Sequence, residues 1–272
     1  MSFFIEYAKS FHRLLGIFDK QLLQQRKEFF AEHENYNFID VPIFIISYNR
    51  LSYLKSIIQQ LSDRGFNNIN IIDNASTYPP LLEYYDTLSY KIFRLKENGG
   101  HMVFWENDIF KEYRNDLYVV TDPDISILEE CPDDFLRVFF KLLKKYPRLK
   151  KVGFSLRIDD IPHDASLYEQ VTKWEKMYTK FKIPNKNAFT ADIDTTFALY
   201  LPDYLDCSRH FITAVRTGYP YQVRHLPWYK KSDDITDEDI YYSNHRTNGF
   251  WDETHGDFTS EGKKGIDSGW SN

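Results

Sequence analysis

The feature that most constrains this chain is an alternation of two textures between residues 41 and 156. Short apolar runs of strand length recur, separated by stretches with helical spacing. VPIFIIS (41–47) is apolar and rich in β-branched residues. Leu51, Leu54, Ile57, Ile58 and Leu61 then form a stripe at helical spacing, and Gly65 is placed to stop that helix. NINIID (68–73), YKIFRL (90–95), LYVV (117–120) and KVGFSL (151–156) read as further strands. Between them, PPLLEYYDTL reads as a short helix opened by proline, residues 102–114 as a helix, and Asp133 to Tyr146 as an amphipathic one. After residue 160 the pattern loosens: residues 166–178 read as helical and TTFALYLP (195–202) as a strand.

Strands alternating with helices predict βαβ units. The expected class is α/β, with a mostly parallel central sheet flanked by helices. Ligands bind such sheets at the carboxyl ends of the strands. The residues to inspect are therefore Ser47-Tyr48-Asn49-Arg50, Asp73-Asn74-Ala75-Ser76, Glu97-Asn98-Gly99-Gly100-His101 and Thr121-Asp122-Pro123-Asp124.

The loop after the first strand contains no glycine. A dinucleotide fingerprint and a P-loop both need glycine there, so that backbone amides can approach phosphate. Nicotinamide and P-loop kinase chemistry are thereby disfavoured. The loops offer acid instead. Asp73 closes the second strand, where a carboxylate can accept from a base or a ribose hydroxyl, or simply open a turn. Asp122 and Asp124 follow the fourth strand one residue apart. In an extended segment that spacing turns both side chains to one side. Two carboxylates facing one spot repel unless a cation lies between them, and Mn²⁺ or Mg²⁺ takes such oxygen ligands together with a diphosphate. D-P-D is also ordinary turn chemistry, so its position after a strand gives the pair its weight.

Composition narrows the partners. The net charge of −6 argues against a nucleic-acid surface, which needs a basic stripe, but allows a nucleotide as a small ligand. Cys131 and Cys207 show no metal-type spacing and give no disulfide framework. No apolar run reaches the roughly 18 residues of a membrane span, and the start of the chain lacks a secretory pattern. A cytoplasmic location is the simplest expectation.

PIFIISYNR (42–50), INIIDNAS (69–76), ENGG (97–100) and YVVTDPDI (118–125) occur in an order and spacing that resemble the GT-A glycosyltransferases, especially the inverting enzymes of family 2. The resemblance covers about residues 41–160 well and 190–230 more loosely. It implies a Rossmann-like nucleotide-binding half and an acceptor-binding half. It also implies transfer of a sugar from a nucleotide diphosphate sugar, with UDP favoured, to a hydroxyl of a glycan or a lipid-linked acceptor. Ser47, Tyr48, Arg50, Asp73, Asn98, Gly99, Gly100 and Asp122 would line the nucleotide site. Asp122 and Asp124 would hold Mn²⁺ or Mg²⁺, Asp124 directly, with His225 as a further ligand. Asp194, with Asp192 behind it, would be the base that deprotonates the acceptor; the usual Glu-Asp pair of the family is absent. Arg224 beside His225 could meet phosphate, and Trp228 and Tyr229 could stack on an acceptor sugar or pack in the core. Asp159 and Asp160 are a rival acidic pair. A retaining enzyme, a sugar nucleotidyltransferase and a non-catalytic binding module are the alternatives.

Two segments lie outside that expected domain at 39–250. Residues 3–30 carry Phe4, Ala8, Phe11, Leu15, Phe18 and Leu22 at helical spacing, within an N-terminal helix region at 1–38. Such a helix can dock on the domain, build a homodimer or lie on the inner face of a membrane. Residues 251–272 read as a polar tail.

Overall fold

The computed structural model describes residues 20–205 and 214–246, together with the backbone of the two-residue strands at 251–252 and 257–258. The expected helix before Lys20, most of the tail, Cys207 and His210 lie outside the described residues.

The first half follows the alternation. β1 (Ile43–Ser47) and β2 (Ile69–Asp73) are buried at every residue, as strands covered on both faces must be. β3 (Lys91–Arg94) is an edge strand with exposed ends. β4 (Tyr118–Thr121) is fully buried. The four pair in parallel in the order β3-β2-β1-β4. Among the helices, α1 (Lys20–Glu32) precedes the sheet, α2 (Leu51–Asp63) links β1 to β2, and α3 (Pro79–Tyr85) links β2 to β3. The apolar stripe of α2 (Leu54, Ile57, Ile58 and Leu61) is buried, and Gly65 takes φ +86° just beyond the helix. The helix expected at 102–114 is broken. α4 (Val103–Glu106) stops at Asn107, whose side chain accepts from the Ile109 N–H at 3.1 Å and starts a 3-10 stretch, Asp108–Asn115.

The second half departs from the expectation of a mostly parallel sheet. The sheet is mixed, in the order β3-β2-β1-β4-β8-β6-β9-β5, with β7 also on β9. β5 (Ile125–Ile127), α5 (Phe135–Lys145), β6 (Lys151–Leu156), α6 (Tyr168–Glu175) and β7 (Ala188–Thr190) lead to β8 (Ala198–Tyr200) and the long β9 (Ala214–His225). β8 lies antiparallel between β4 and β6, while β6 and β9 are parallel. β5 and β7 run antiparallel to β9. The reason is connectivity. The chain reaches β8 from the carboxyl end of β4, so it can only run back down the sheet.

The core fills both faces of the sheet. One face packs Ile43, Ile45, Leu54, Phe135 and Phe139; the other packs Phe44, Phe104, Phe110 and Tyr118. Truncating one of these side chains to alanine typically costs about 2–5 kcal/mol. α1 docks on α5: Phe30 meets Phe140 edge-on at 5.0 Å, and buried Arg26 donates to the carbonyls of Leu143, Leu149 and Leu205 at 3.2, 3.4 and 3.2 Å. A cation there suits the carbonyl end of α5. Among the described residues no helix is long and apolar enough to cross a membrane.

Candidate functional site

β1 leads to β2 and β3 on one side, while β4 lies on the other side of β1. The order of strands reverses there, and a crevice opens beyond the carboxyl ends of such a pair. Ser47 ends β1, and Asp122 follows β4, whose Thr121 lies beside Ile45.

The acidic pair is assembled by the antiparallel strands. β5 pairs with β9 so that Ile125 faces His225. That register brings the His225 imidazole next to Asp124, with Nε2 3.4 Å from Oδ2. The Leu226 N–H donates to the Asp124 carbonyl at 2.8 Å and fixes the same junction. Burial alone would raise the Asp124 carboxyl, but His225, through its charge and its hydrogen bond, and then Arg50 hold it below the ordinary range. Its other oxygen, Oδ1, is buried and has no hydrogen-bond partner among the described residues. Asp122 moves the opposite way. Burial first, and then the charge of Asp124, push its carboxyl up, against a hydrogen bond from Thr195 that favours ionisation.

β8 delivers the third acid. The segment that precedes it crosses the carboxyl end of β4, where the Asp122 N–H donates to the Thr195 carbonyl at 3.0 Å. The Thr195 hydroxyl donates to Asp122 Oδ2. Asp194 is exposed, and its charge is one of those that raise Asp122. The Asp192 carbonyl accepts from Arg216 Nε at 2.5 Å.

The loops after β1 and β2 are arranged differently. Asn49, at φ +51° and fully buried, accepts the N–H groups of Thr77 and Tyr78 at 2.7 and 2.9 Å. Asp73 is 3% exposed, and its Oδ1 accepts from the Ser76 N–H at 3.0 Å. Asn74 reaches the ENGG loop. It accepts from the Gly99 N–H at 2.8 Å and donates to the Gly100 carbonyl at 3.0 Å. Asn98 accepts from the Gly100 N–H at 2.8 Å, and Gly100 sits at φ +73°. These residues hold the three loops together at one end of the sheet.

α7 (Asp237–His245) covers those loops. Glu238 accepts from the Ser52 N–H and hydroxyl at the start of α2. Asp239 pairs with buried Arg50 at 2.5 Å and with Lys230 at 2.5 Å. The Arg50 guanidinium lies 3.8 Å from the Tyr242 ring centroid. The Tyr48 hydroxyl donates to the His245 carbonyl at 2.6 Å.

No protein-family model matches this chain, and no curated protein matches it.

Of the expected residues, Asp124 and His225 are in contact, Asp122 and Asp194 lie within range of each other's charge and of that pair, and Ser47, Asp73, Asn98, Gly99 and Gly100 sit in the neighbouring loops. Arg224 is engaged elsewhere, by a two-point ion pair with Asp160 through Nε at 2.7 Å and Nη2 at 2.6 Å. Tyr229 donates to Asp160 at 2.6 Å, and buried Trp228 packs beside His225 with ring centroids 4.7 Å apart. Among the described residues no three His, Cys, Asp or Glu side chains are gathered closely enough to hold a metal ion in their present positions. The donor set nevertheless suits a divalent cation: two carboxylates and an imidazole, with one buried carboxylate oxygen bare.

The sequence marked Asn74 only as part of a loop to inspect, with no role of its own, and did not single out Thr195, Arg216 or α7. Thr236, which caps the helix and exchanges hydrogen bonds with Asp239, was the available signal for α7.

Proposed function

We infer that this chain is a metal-dependent glycosyltransferase of GT-A type, acting on a nucleotide diphosphate sugar, with UDP favoured, and a glycan or lipid-linked hydroxyl acceptor. One observation carries the reading: Asp122 and Asp124 stand at the reversal of strand order, with His225 brought to Asp124 by β9 and Asp194 brought beside Asp122 by the segment before β8. The parallel β3-β2-β1-β4 half supports a Rossmann-like nucleotide side, and the absence of glycine from the first loop fits a diphosphate held by a cation rather than by backbone amides.

Asp124, with its bare oxygen, would be a direct ligand of Mn²⁺ or Mg²⁺, and His225 and Asp122 would complete the protein's share. The bound ion would neutralise charge gathering on the departing nucleoside diphosphate. Asp194 is solvent-facing, as a base that meets an incoming acceptor must be. It would take the acceptor hydroxyl proton as that oxygen bonds to the anomeric carbon. The bond from that carbon to the phosphate oxygen breaks, and the diphosphate keeps the electron pair. A single displacement of this kind inverts the anomeric configuration. Ser47, Tyr48, Asp73 and the Asn98–Gly100 loop would border the nucleoside. Arg50, clamped to Asp239 and Tyr242, would act through its field at Asp124 rather than by direct contact.

The test is an assay of sugar release and transfer over a panel of nucleotide sugars with Mn²⁺, with and without EDTA. Cleavage that needs the metal and gives an inverted product supports the reading. Absence of metal-dependent cleavage with every donor removes it, and a retained configuration removes Asp194 as base.

A further inference from the structure

Asp194 sits on an irregular segment between two buried residues. Its side chain is exposed, yet the backbone on both sides is immobilised. Ile193 before it is 1% exposed and packs in the core with Val120, Ala198 and Tyr200. Thr195 after it is 2% exposed and is bonded twice to Asp122, through its carbonyl at 3.0 Å and through its hydroxyl. Two residues upstream, the Asp192 carbonyl is held by Arg216 at 2.5 Å. Arg216 is itself 5% exposed and ion-paired with Glu175, which is 2% exposed. A solvated loop acid needs no such anchoring, because water satisfies it in any position. A general base does need it, since proton transfer depends on a fixed distance to the reacting oxygen.

We propose that Thr195 is a positioning residue that ties the Asp194 carboxylate to the acidic pair. This rests on the glycosyltransferase reading and adds to it a division of labour. Asp124 presents a bare oxygen to the ligand, whereas one oxygen of Asp122 is turned toward the segment that carries the base. Thr195 touches neither substrate in this scheme. It sets where Asp194 stands. Its carbonyl bond to Asp122 belongs to the backbone and survives any substitution, so the hydroxyl is the part that can be tested in isolation.

The experiment is a double-mutant cycle on the full chain with Thr195→Val, Asp194→Asn and the pair, measured as kcat and donor KM in the Mn²⁺-dependent assay, with Thr195→Ser alongside. Thr195→Val should lower kcat roughly 10- to 100-fold, the scale of an ångström-size misplacement. Donor KM should stay within about 3-fold, and Thr195→Ser should restore most of the rate. In the Asp194→Asn background the valine should cost nothing further, because its whole effect runs through that carboxylate. Equal losses in both backgrounds, or unchanged kcat in Thr195→Val, would overturn the assignment. A wild-type protein without metal-dependent turnover brings down the glycosyltransferase reading and this inference with it. If Thr195→Val does not fold, Thr195→Ser with kcat well below wild type at unchanged Tm also counts against it.

Discussion

Two acid-bearing regions lie side by side at the carboxyl end of the sheet, and they treat polar side chains in opposite ways. After β1 and β2, the carboxylates and the amide oxygens of the loops are bonded to the protein itself, although Ser47 Oγ and Asn49 Nδ2 are buried without a hydrogen-bond partner among the described residues. Asp73 accepts from Ser76, Asn49 from Thr77 and Tyr78, and Asn74 from Gly99, while Asp239 binds Arg50, Lys230 and Thr236. After β4, Asp122 and Asp124 are held near one another and Asp124 keeps a buried oxygen bare. The first arrangement lowers the energy of the fold. The second raises it, and such cost is usual where a ligand supplies the missing partner. A carboxylate at a strand end is therefore not a site by position alone. What distinguishes one is a buried carboxylate oxygen left without a hydrogen bond, as at Asp124.

That contrast can be broken at either side. The largest effect is expected at Asp124→Asn, which should lower metal-dependent transfer by roughly 10³-fold while leaving Tm close to wild type, because asparagine keeps an acceptor for His225 and the bare oxygen has no bond to lose. A large fall in Tm with surviving turnover per folded molecule would reverse the assignment of the two regions.

Asp239→Ala should show the converse, a loss of about 3–5 kcal/mol in denaturant unfolding, since Arg50 is left buried without its carboxylate. The ionised form of Asp239 is favoured in the fold. Burial opposes it, but Lys230 and Thr236, and then Arg50, bring the carboxyl down to about 2. A depressed carboxylate stabilises the protein above its unfolded value, and that contribution is lost as pH falls toward the folded one. Wild-type stability should therefore drop in acid, and the Ala variant should drop less.

A smaller effect of opposite sign is expected at Asp122. Its carboxyl is raised, so the folded state holds a proton that the unfolded chain has released. Stability then declines as pH rises above the ordinary carboxylate range. Asp122→Asn keeps an acceptor for Thr195 and removes the charge. In the absence of metal it should gain on the order of 1 kcal/mol near neutral pH and flatten that decline in a Tm-against-pH series.

The sequence made one of these regions far easier to read than the other. β1 and β4 show as uninterrupted apolar runs, β2 and β3 as shorter ones broken or bounded by polar residues, and α2 as a clean stripe from Leu54 to Leu61, so the carboxyl ends that bear Ser47, Asp73 and Asp122 could be located. The antiparallel half could not. β5 and β8 are three residues each and owe their pairing to distant partners. β9 is interrupted where its register with β6 shifts by several residues between Thr217 and Gln222, which erases any two-residue alternation. α7 reads DEDIYYSNH and has no apolar stripe, because buried acids hold it in place. The pairing of His225 with Ile125, and the crossing of Thr195 over Asp122, depend on those strands. The residues were nameable as candidates, but what brings them together was not.

The most direct test of the central claim, that Asp124 is left bare for a cation shared with a diphosphate, is a thermal-shift titration with UDP and Mn²⁺ on wild type and Asp124→Asn. UDP with Mn²⁺ should raise the wild-type Tm, by an amount equivalent to about 2.7 kcal/mol at a hundredfold excess over Kd. EDTA should abolish the rise, and Asp124→Asn should show little of it. An equal rise in the variant, or one indifferent to EDTA, would contradict that claim.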